Sequence, residues 1–251
     1  MNDKIKEFYK EVTSLPKQLP LSPDTWPEEW IKVFWKTYPR LPQIPLTNTE
    51  LNQQRGLQSV LLERESSRDY DTSINLLELS TLLRFSAGLN GKGSKEQPRR
   101  TYPSAGARYP IELYIFSAKI DELGDGAYHY NVKQNTLELL LSGSADKDIN
   151  TILQNRQGDL FKKLSALVIF TTVISRTQIK YGSSAYPFSL IECGHIAQNM
   201  YLISENLKLG CCAIGGFDTQ YAADILDLTE EELPLYGMVI GKSNSCQKKS
   251  D

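Results

Sequence analysis

Lys180-Tyr181-Gly182 sets an amine beside a phenol. Both groups can move protons once burial or a neighbour brings their pKa values toward neutrality. The pair follows Ala166-Leu167-Val168-Ile169-Phe170-Thr171-Thr172-Val173, a β-branched apolar run with the composition of a central strand. It precedes residues 190–209, which have the period of a helix. As a dipeptide, Lys-Tyr is commonplace on solvated loops, so its meaning comes from the segments around it. Adjacent residues of an extended segment point to opposite faces, and both side chains serve one site only if the strand has ended. Gly182 permits that, and the expectation is a loop or helix start at Lys180.

Three other segments carry chemistry. In Arg64-Glu65-Ser66-Ser67-Arg68-Asp69-Tyr70, two guanidinium forks flank a hydroxyl, a donor set suited to a phosphate. Residues 99–110 contain Pro103 and Pro110, which fix the backbone on either side of Ser104-Ala105-Gly106-Ala107. The lack of side-chain bulk there lets a flat ligand approach, although a rigid loop entering a strand has the same composition. Residues 209–218 contain Gly215-Gly216, whose backbone N–H groups can face an anion or a ring system. No dinucleotide fingerprint, phosphate-binding P-loop, G-x-S-x-G elbow or H-E-x-x-H helix is present.

The elements that position these segments alternate. A helix over residues 74–87, capped by Ser73 and ended by Gly88, precedes a polar loop at 90–97. Residues 111–120 read as a strand, and 127–130 with 136–141 as a hairpin. A helix at 146–157 leads to the apolar strand. In the helix at 190–209, Leu190, Cys193, Ala197, Met200, Ile203 and Leu207 form one stripe, and Gly210 supplies the stop. Its apolar circumference is more than one small domain covers, which points to a homodimer. A strand at 211–214, a short helix to Leu226 and a strand at 235–240 complete an α+β domain. Residues 1–50 differ: they carry seven prolines and Trp26, Trp30 and Trp35. This reads as an arm over the main domain or a peptide- or partner-binding extension, with a short amphipathic helix from Pro27.

With 251 residues, 40% hydrophobic and 23% charged, the composition is that of an ordinary globular protein of one large or two small domains. The net charge of −2 gives no electrostatic case for nucleic acid or an anionic membrane. No window has the apolar length of a membrane span, and the N-terminus lacks a secretory apolar core, so a cytoplasmic location is expected. Four cysteines without a C-x-x-C pair, and only His129 and His195, imply free thiols and no metal site.

In this order, the segments over residues 59–241 resemble the nitroreductase superfamily, and within it the SagB-type dehydrogenases. These are the flavin-dependent oxidases of thiazole- and oxazole-containing ribosomal peptides. Arg64, Ser66 and Arg68 match an R-R-S-x-R-type start, with Glu65 in place of its second arginine. Residues 103–110 match P-S-A-G-x-x-Y-P, and 180–182 match K-Y-G. Glu192, Gly194, His195, Gln198 and Asn199 match E-x-G-H-x-x-Q-N, and 214–217 match I-G-G-F. Ser184 and Pro187 stand where many relatives carry arginines.

The resemblance implies a nitroreductase-like FMN-binding fold: a mixed, mainly antiparallel sheet flanked by helices, in an intertwined homodimer. Residues 1–50 would be an extension and 51–251 the oxidase domain. FMN would be held by Arg64, Ser66, Arg68, Pro103, Ser104, Gly106, Gly215 and Gly216, with Lys180 and Tyr181 as the catalytic pair. The substrate would be an azoline-containing precursor peptide and the partner a cyclodehydratase. The alternatives are an NAD(P)H-dependent nitro- or quinone reductase, another peptide dehydrogenase, or a flavin-fold scaffold subunit.

Overall fold

A seven-stranded sheet organises the chain, and every neighbouring pair in it is antiparallel. The computed structural model describes residues 3–13, 25–47, 50–51, 55–154, 161 and 163–242. Numbered along the chain, the sheet strands are β1 (Gln43–Pro45), β5 (Ile111–Ser117), β7 (Gly126–Asn131), β8 (Thr136–Ser142), β9 (Ala166–Val173), β10 (Gly210–Ile214) and β11 (Glu232–Gly241). Their order is β1-β8-β7-β5-β9-β11-β10. β1 comes from the Pro/Trp-rich extension and adds an edge beside β8. Two small ladders stand apart: β2 (Ile74–Asn75) with β6 (Ile120–Asp121), and β3 (Leu89–Gly93) with β4 (Pro98–Arg100).

β9 lies near the middle and is buried on both faces, which is why its sequence is an unbroken apolar run. Val168 and Phe170 face helices α4 (Leu76–Ala87) and α7 (Ala185–Asn206), packing with Leu82, Leu83, Cys193, Ile196 and Met200. Leu167 and Ile169 face α5 (Asp146–Ile152) and α8 (Thr219–Ile225), packing with Ile149, Ile152 and Ala222. The period-2 geometry of one strand thus feeds two cores. The remaining helices are α1 (Asp3–Thr13), α2 (Glu28–Ile31), α3 (Leu57–Glu63) and α6 (Ser175–Tyr181). None is long and apolar enough to cross a membrane, among the described residues.

Several local expectations are corrected. α4 is capped by Asn75, not Ser73: the Asn75 side chain accepts from Glu78 N (2.8 Å) while Glu78 Oε2 accepts from Asn75 N (2.9 Å). This reciprocal capping box satisfies two orphan donors, and Ser73 is too far upstream to do so. The expected polar loop at 90–97 is partly the β3–β4 ladder. The helix expected at 146–157 ends at Ile152, and residues 155–157 lie outside the described residues. α7 begins at Ala185 because Pro187 falls in its first turn, where a missing N–H costs no hydrogen bond. It ends at Asn206 because Lys208 takes the left-handed conformation (φ 58°) and Leu209 N reaches Ser204 O at 2.8 Å, so Gly210 starts β10 instead of stopping the helix.

Polar groups replace the apolar core under Lys36 and Tyr38. His129 Nδ1 meets Glu138 Oε2 at 2.8 Å and Nε2 meets Glu112 Oε2 at 3.1 Å, with Arg176 on the other oxygen of Glu112 at 2.5 Å. Tyr38 N donates to Glu138 Oε1 (2.9 Å), and Lys36 pairs with Glu232.

Candidate active site

Helix α6 sets the position of the Lys180–Tyr181 pair. It is anchored at Arg176, whose Nη1 donates to Tyr109 O (3.1 Å) and whose carbonyl accepts from Arg108 Nε (2.9 Å). Lys180 lies one helical turn beyond Arg176, on the same face. The expected loop or helix start at Lys180 is therefore corrected: the strand ends at Val173 and Lys180 occupies the last turn of α6. Gly182 closes that helix at φ 56°, ψ −137°, a conformation that glycine takes without steric penalty.

The two side chains converge on Gly106. A Cβ there would stand 2.7 Å from Tyr181 Oη and 3.2 Å from Lys180 Nζ. Gly106 itself has φ 59° inside the single 3₁₀ turn Ala105–Ala107, so both its backbone and its close neighbours favour glycine. Ser104, Gly106 and Ala107 line a pocket of about 540 Å³, with Gln97 and Arg99. Trp26, Trp30 and Ile31 complete its lining.

Lys180 is 3% exposed, and its Nζ has no hydrogen-bond partner among the described residues. Burial, and then repulsion from Arg108, moves its pKa down. Tyr181 is moved up, mainly by burial, with Arg108 opposing and Glu192 adding to the shift. Burial disfavours the charged form of each, so the amine becomes the more available base. Arg108 is fully buried, donates Nη1 to Trp30 O at 2.7 Å, and leaves Nη2 without a hydrogen-bond partner among the described residues.

Glu192 on α7 is a functional candidate the residue-by-residue reading did not assign, although the E-x-G-H pattern pointed at it. Ser104 Oγ donates to Glu192 Oε1 at 2.7 Å and Ala105 N donates to the same oxygen at 3.2 Å. Ser104 Oγ also accepts from Tyr109 N at 2.8 Å, so Glu192 holds the Ser104–Gly106 turn in place. Burial pushes its pKa up to about 7 against those hydrogen bonds, and Oε2 has no hydrogen-bond partner among the described residues. Pro103 is exposed beside this turn. Arg108, Trp26 and Trp30 were likewise not assigned, because only the tertiary fold brings them to Lys180.

A second cluster gathers where α7 ends and β10 begins. The Arg64 guanidinium lies 5.2 Å from the Tyr201 ring centroid. Ser66 Oγ is 2.9 Å from Tyr201 Oη, which accepts from Ala213 N at 2.8 Å. Arg68 is exposed, with Nη1 3.4 Å from Ser66 O. Gly215 and Gly216 leave β10 just past Ala213 and are exposed. The structure thus unites Ser104, Gly106, Lys180 and Tyr181 in one place and Arg64, Ser66 and Arg68 in another. Glu192 and Tyr201 mark the two clusters on α7, about 13 Å apart at 1.5 Å per residue. Among the described residues no group of three His, Cys, Asp or Glu is placed to hold a metal, and Cys193, Cys211 and Cys212 are free and buried.

A mainly antiparallel sheet with helices packed on both faces is the architecture of the nitroreductase fold. The Nitroreductase family model matches residues 61–242, and the chain belongs to that family, whose members typically bind flavin. It is 29% identical over 188 residues to a protein named as a nitroreductase in Methanocaldococcus jannaschii, covering 74% of this chain and 90% of that one. It is 25% identical over 175 residues to the microcin B17-processing protein McbC of Escherichia coli, covering 68% of this chain but only 64% of McbC. Its fold matches a chain of the E. coli microcin synthetase McbBCD complex with truncated pro-MccB17 bound, with a TM-score of 0.61 at 20% identity. That match covers 96% of this chain and 92% of the other.

Proposed function

We propose that this protein is an FMN-dependent oxidase that converts thiazoline or oxazoline rings of a precursor peptide to thiazoles or oxazoles. The observation that carries the reading is the convergence of Lys180 and Tyr181 on Gly106, at the wall of a pocket large enough for a small ring. The name of the microcin-processing relative supports a peptide substrate.

The residues present fit FMN. Lys180 Nζ, Arg108 Nη2 and Glu192 Oε2 are buried polar atoms without partners among the described residues, and Gly106 brings its backbone close to Lys180 and Tyr181 without side-chain bulk. Buried polar groups normally find a partner. Arg64, Arg68 and Ser66 would hold the phosphate; Pro103, Ser104, Gly106, Gly215 and Gly216 would border the rest, from one chain or from both chains of a dimer. When bound, FMN supplies the two-electron acceptor.

The chain's own work is on the proton and the ring. Lys180, its pKa lowered, takes the acidic Cα proton of the azoline as its neutral amine. Tyr181, its pKa raised, stays protonated and donates a hydrogen bond to the substrate. Glu192 holds the Ser104–Gly106 turn at the distance a flat ring needs. Exposed apolar residues on α6 and α7 (Ile179 47%, Leu190 43%, Ile191 53%) support a homodimer. Of the expected apolar stripe of α7, Cys193, Ala197 and Met200 are buried and Ile203 and Leu207 pack on the core, while Leu190 is exposed. A cyclodehydratase is the proposed partner, consistent with the complex in which the structural neighbour was solved.

An NAD(P)H-dependent nitroreductase is the competing reading, favoured by the M. jannaschii relative. The deciding experiment compares parent, Lys180→Ala and Tyr181→Phe on a thiazoline peptide. Each variant should keep its FMN and lose about 10²–10⁴-fold in oxidation rate. Both variants oxidising at the parent rate with full flavin would refute the mechanism.

A further inference from the structure

The N-terminal segment outside the family-matched residues 61–242 reaches into the candidate active site. Lys180 Nζ lies 3.1 Å from the ring centroid of Trp26 and 5.7 Å from that of Trp30. With no hydrogen-bond partner among the described residues, the buried Lys180 amino group has these ring faces as its surroundings. The segment is tied down at two places. The Trp30 carbonyl accepts from the buried Arg108 at 2.7 Å. Upstream, the Glu11 carbonyl accepts from Ser183 Oγ at 2.6 Å, and Phe8 packs edge-on to Tyr186 at 6.0 Å. Both anchors join the extension to residues within a few positions of the Lys180–Tyr181 pair or of the Gly106 turn.

We propose that Trp26 and Trp30 are substrate-site residues whose ring faces receive the five-membered heterocycle of the peptide. This rests on the oxidase reading given above. The pocket lining combines the aromatic rings of Trp26 and Trp30 with the small residues Gly106 and Ala107, a composition suited to a planar ring. A neutral heterocycle covering Trp26 takes the place of the Lys180 amino group there, and Lys180 turns from the indole toward the ring's acidic C–H as its neutral amine. The same two tryptophans thus hold the lysine when the pocket is empty and hold the ring when it is full. Arg99 and Gln97 at the rim are placed to meet peptide backbone beyond the ring. The extension therefore sets which peptides enter, while the family-matched residues supply the chemistry.

The test uses full-length FMN-loaded protein. Binding of a fluorescently labelled thiazole peptide, which is not turned over, is measured by anisotropy beside the KM and kcat for the thiazoline peptide. Trp26→Leu and Trp30→Leu should each weaken thiazole binding about tenfold, the worth of one aromatic contact. KM should rise in parallel, with FMN content unchanged. Trp26→Phe, keeping a smaller ring face, should lose about threefold. Trp35→Phe should change nothing, and a peptide with alanine in place of the heterocycle should bind parent and Trp26→Leu equally. Parental thiazole affinity in folded, FMN-loaded Trp26→Leu overturns the proposal, as does equal weakening of both peptides. If Trp26→Leu fails to fold, parental affinity in Trp26→Phe overturns it. A parent protein that does not oxidise the thiazoline peptide overturns the oxidase reading and this proposal with it, a result distinct from unchanged variants of an active enzyme.

Discussion

Replacing Gly106 with alanine should damage activity more than stability, and the structure separates the two effects. The residue sits at φ 59°, where an L-side chain costs about 1–2 kcal/mol. The new Cβ would lie 2.7 Å from Tyr181 Oη, whereas ordinary contact begins near 3.4 Å. The phenol must therefore retreat by about 0.7 Å and the Lys180 amine by less, which their flexible ends permit; a displacement of 1 Å in a reactive group can cost about 10²-fold. Gly91→Ala is the matched control, with φ 74° but nothing within 4 Å of the added carbon. Both variants should lose roughly 2–8 °C in thermal midpoint, from the strain energy and the size of the chain. Only Gly106→Ala should lose oxidation rate, by about 10–100-fold with the thiazoline peptide. A Gly106→Ala protein that matches Gly91→Ala in both measurements would show that crowding at Gly106 has no bearing on the reaction.

Three other outcomes follow from the charges. Glu192, buried with its pKa raised to about 7, binds a proton in the folded state that the unfolded chain releases near pH 4.5. Stability should therefore fall as pH rises from about 4.5 to 7, at up to 1.4 kcal/mol per unit, and Glu192→Gln should flatten that slope in thermal melts at pH 5 and pH 8. Burial opposes charge on His129, but its hydrogen bonds to Glu112 and Glu138 prevail and raise its pKa, so its contribution is full below about pH 6.5 and fades above its raised value. His129→Ala leaves two buried carboxylates short of a partner and should cost about 3–5 kcal/mol in urea unfolding at pH 6. Arg64→Ala should weaken FMN retention about tenfold or more, read by equilibrium dialysis, since a charge-assisted hydrogen bond contributes about 1.5–3 kcal/mol.

Local signals account for what was legible in the sequence. The unbroken apolar run of β9, the hairpin of β7 and β8 and the period of α7 all report burial along one element. The capping error at Ser73 was avoidable: Asn75 followed three residues later by Glu78 is a capping-box spacing. The left-handed Lys208 was not, because tertiary packing sets that conformation against the residue's own preference. Lys180, Tyr181, Ser104 and Gly106 were singled out by type, but that all four meet follows from antiparallel pairing of β5 with β9, a non-local fact. Trp26 and Trp30 read only as anchors that must pack on something. The lysine they cover lies about 150 positions later in the sequence, beyond the reach of any periodicity argument.

The central claim is tested most directly by a single turnover without oxygen. FMN-loaded protein is mixed anaerobically with a stoichiometric thiazoline peptide while the visible flavin absorption and the peptide mass are followed. Loss of the oxidised flavin spectrum together with a peptide lighter by two hydrogens, both abolished or slowed in Lys180→Ala, is the predicted result. A flavin that stays oxidised with the peptide but is bleached at once by NADPH would contradict the account and assign the protein to the reductases.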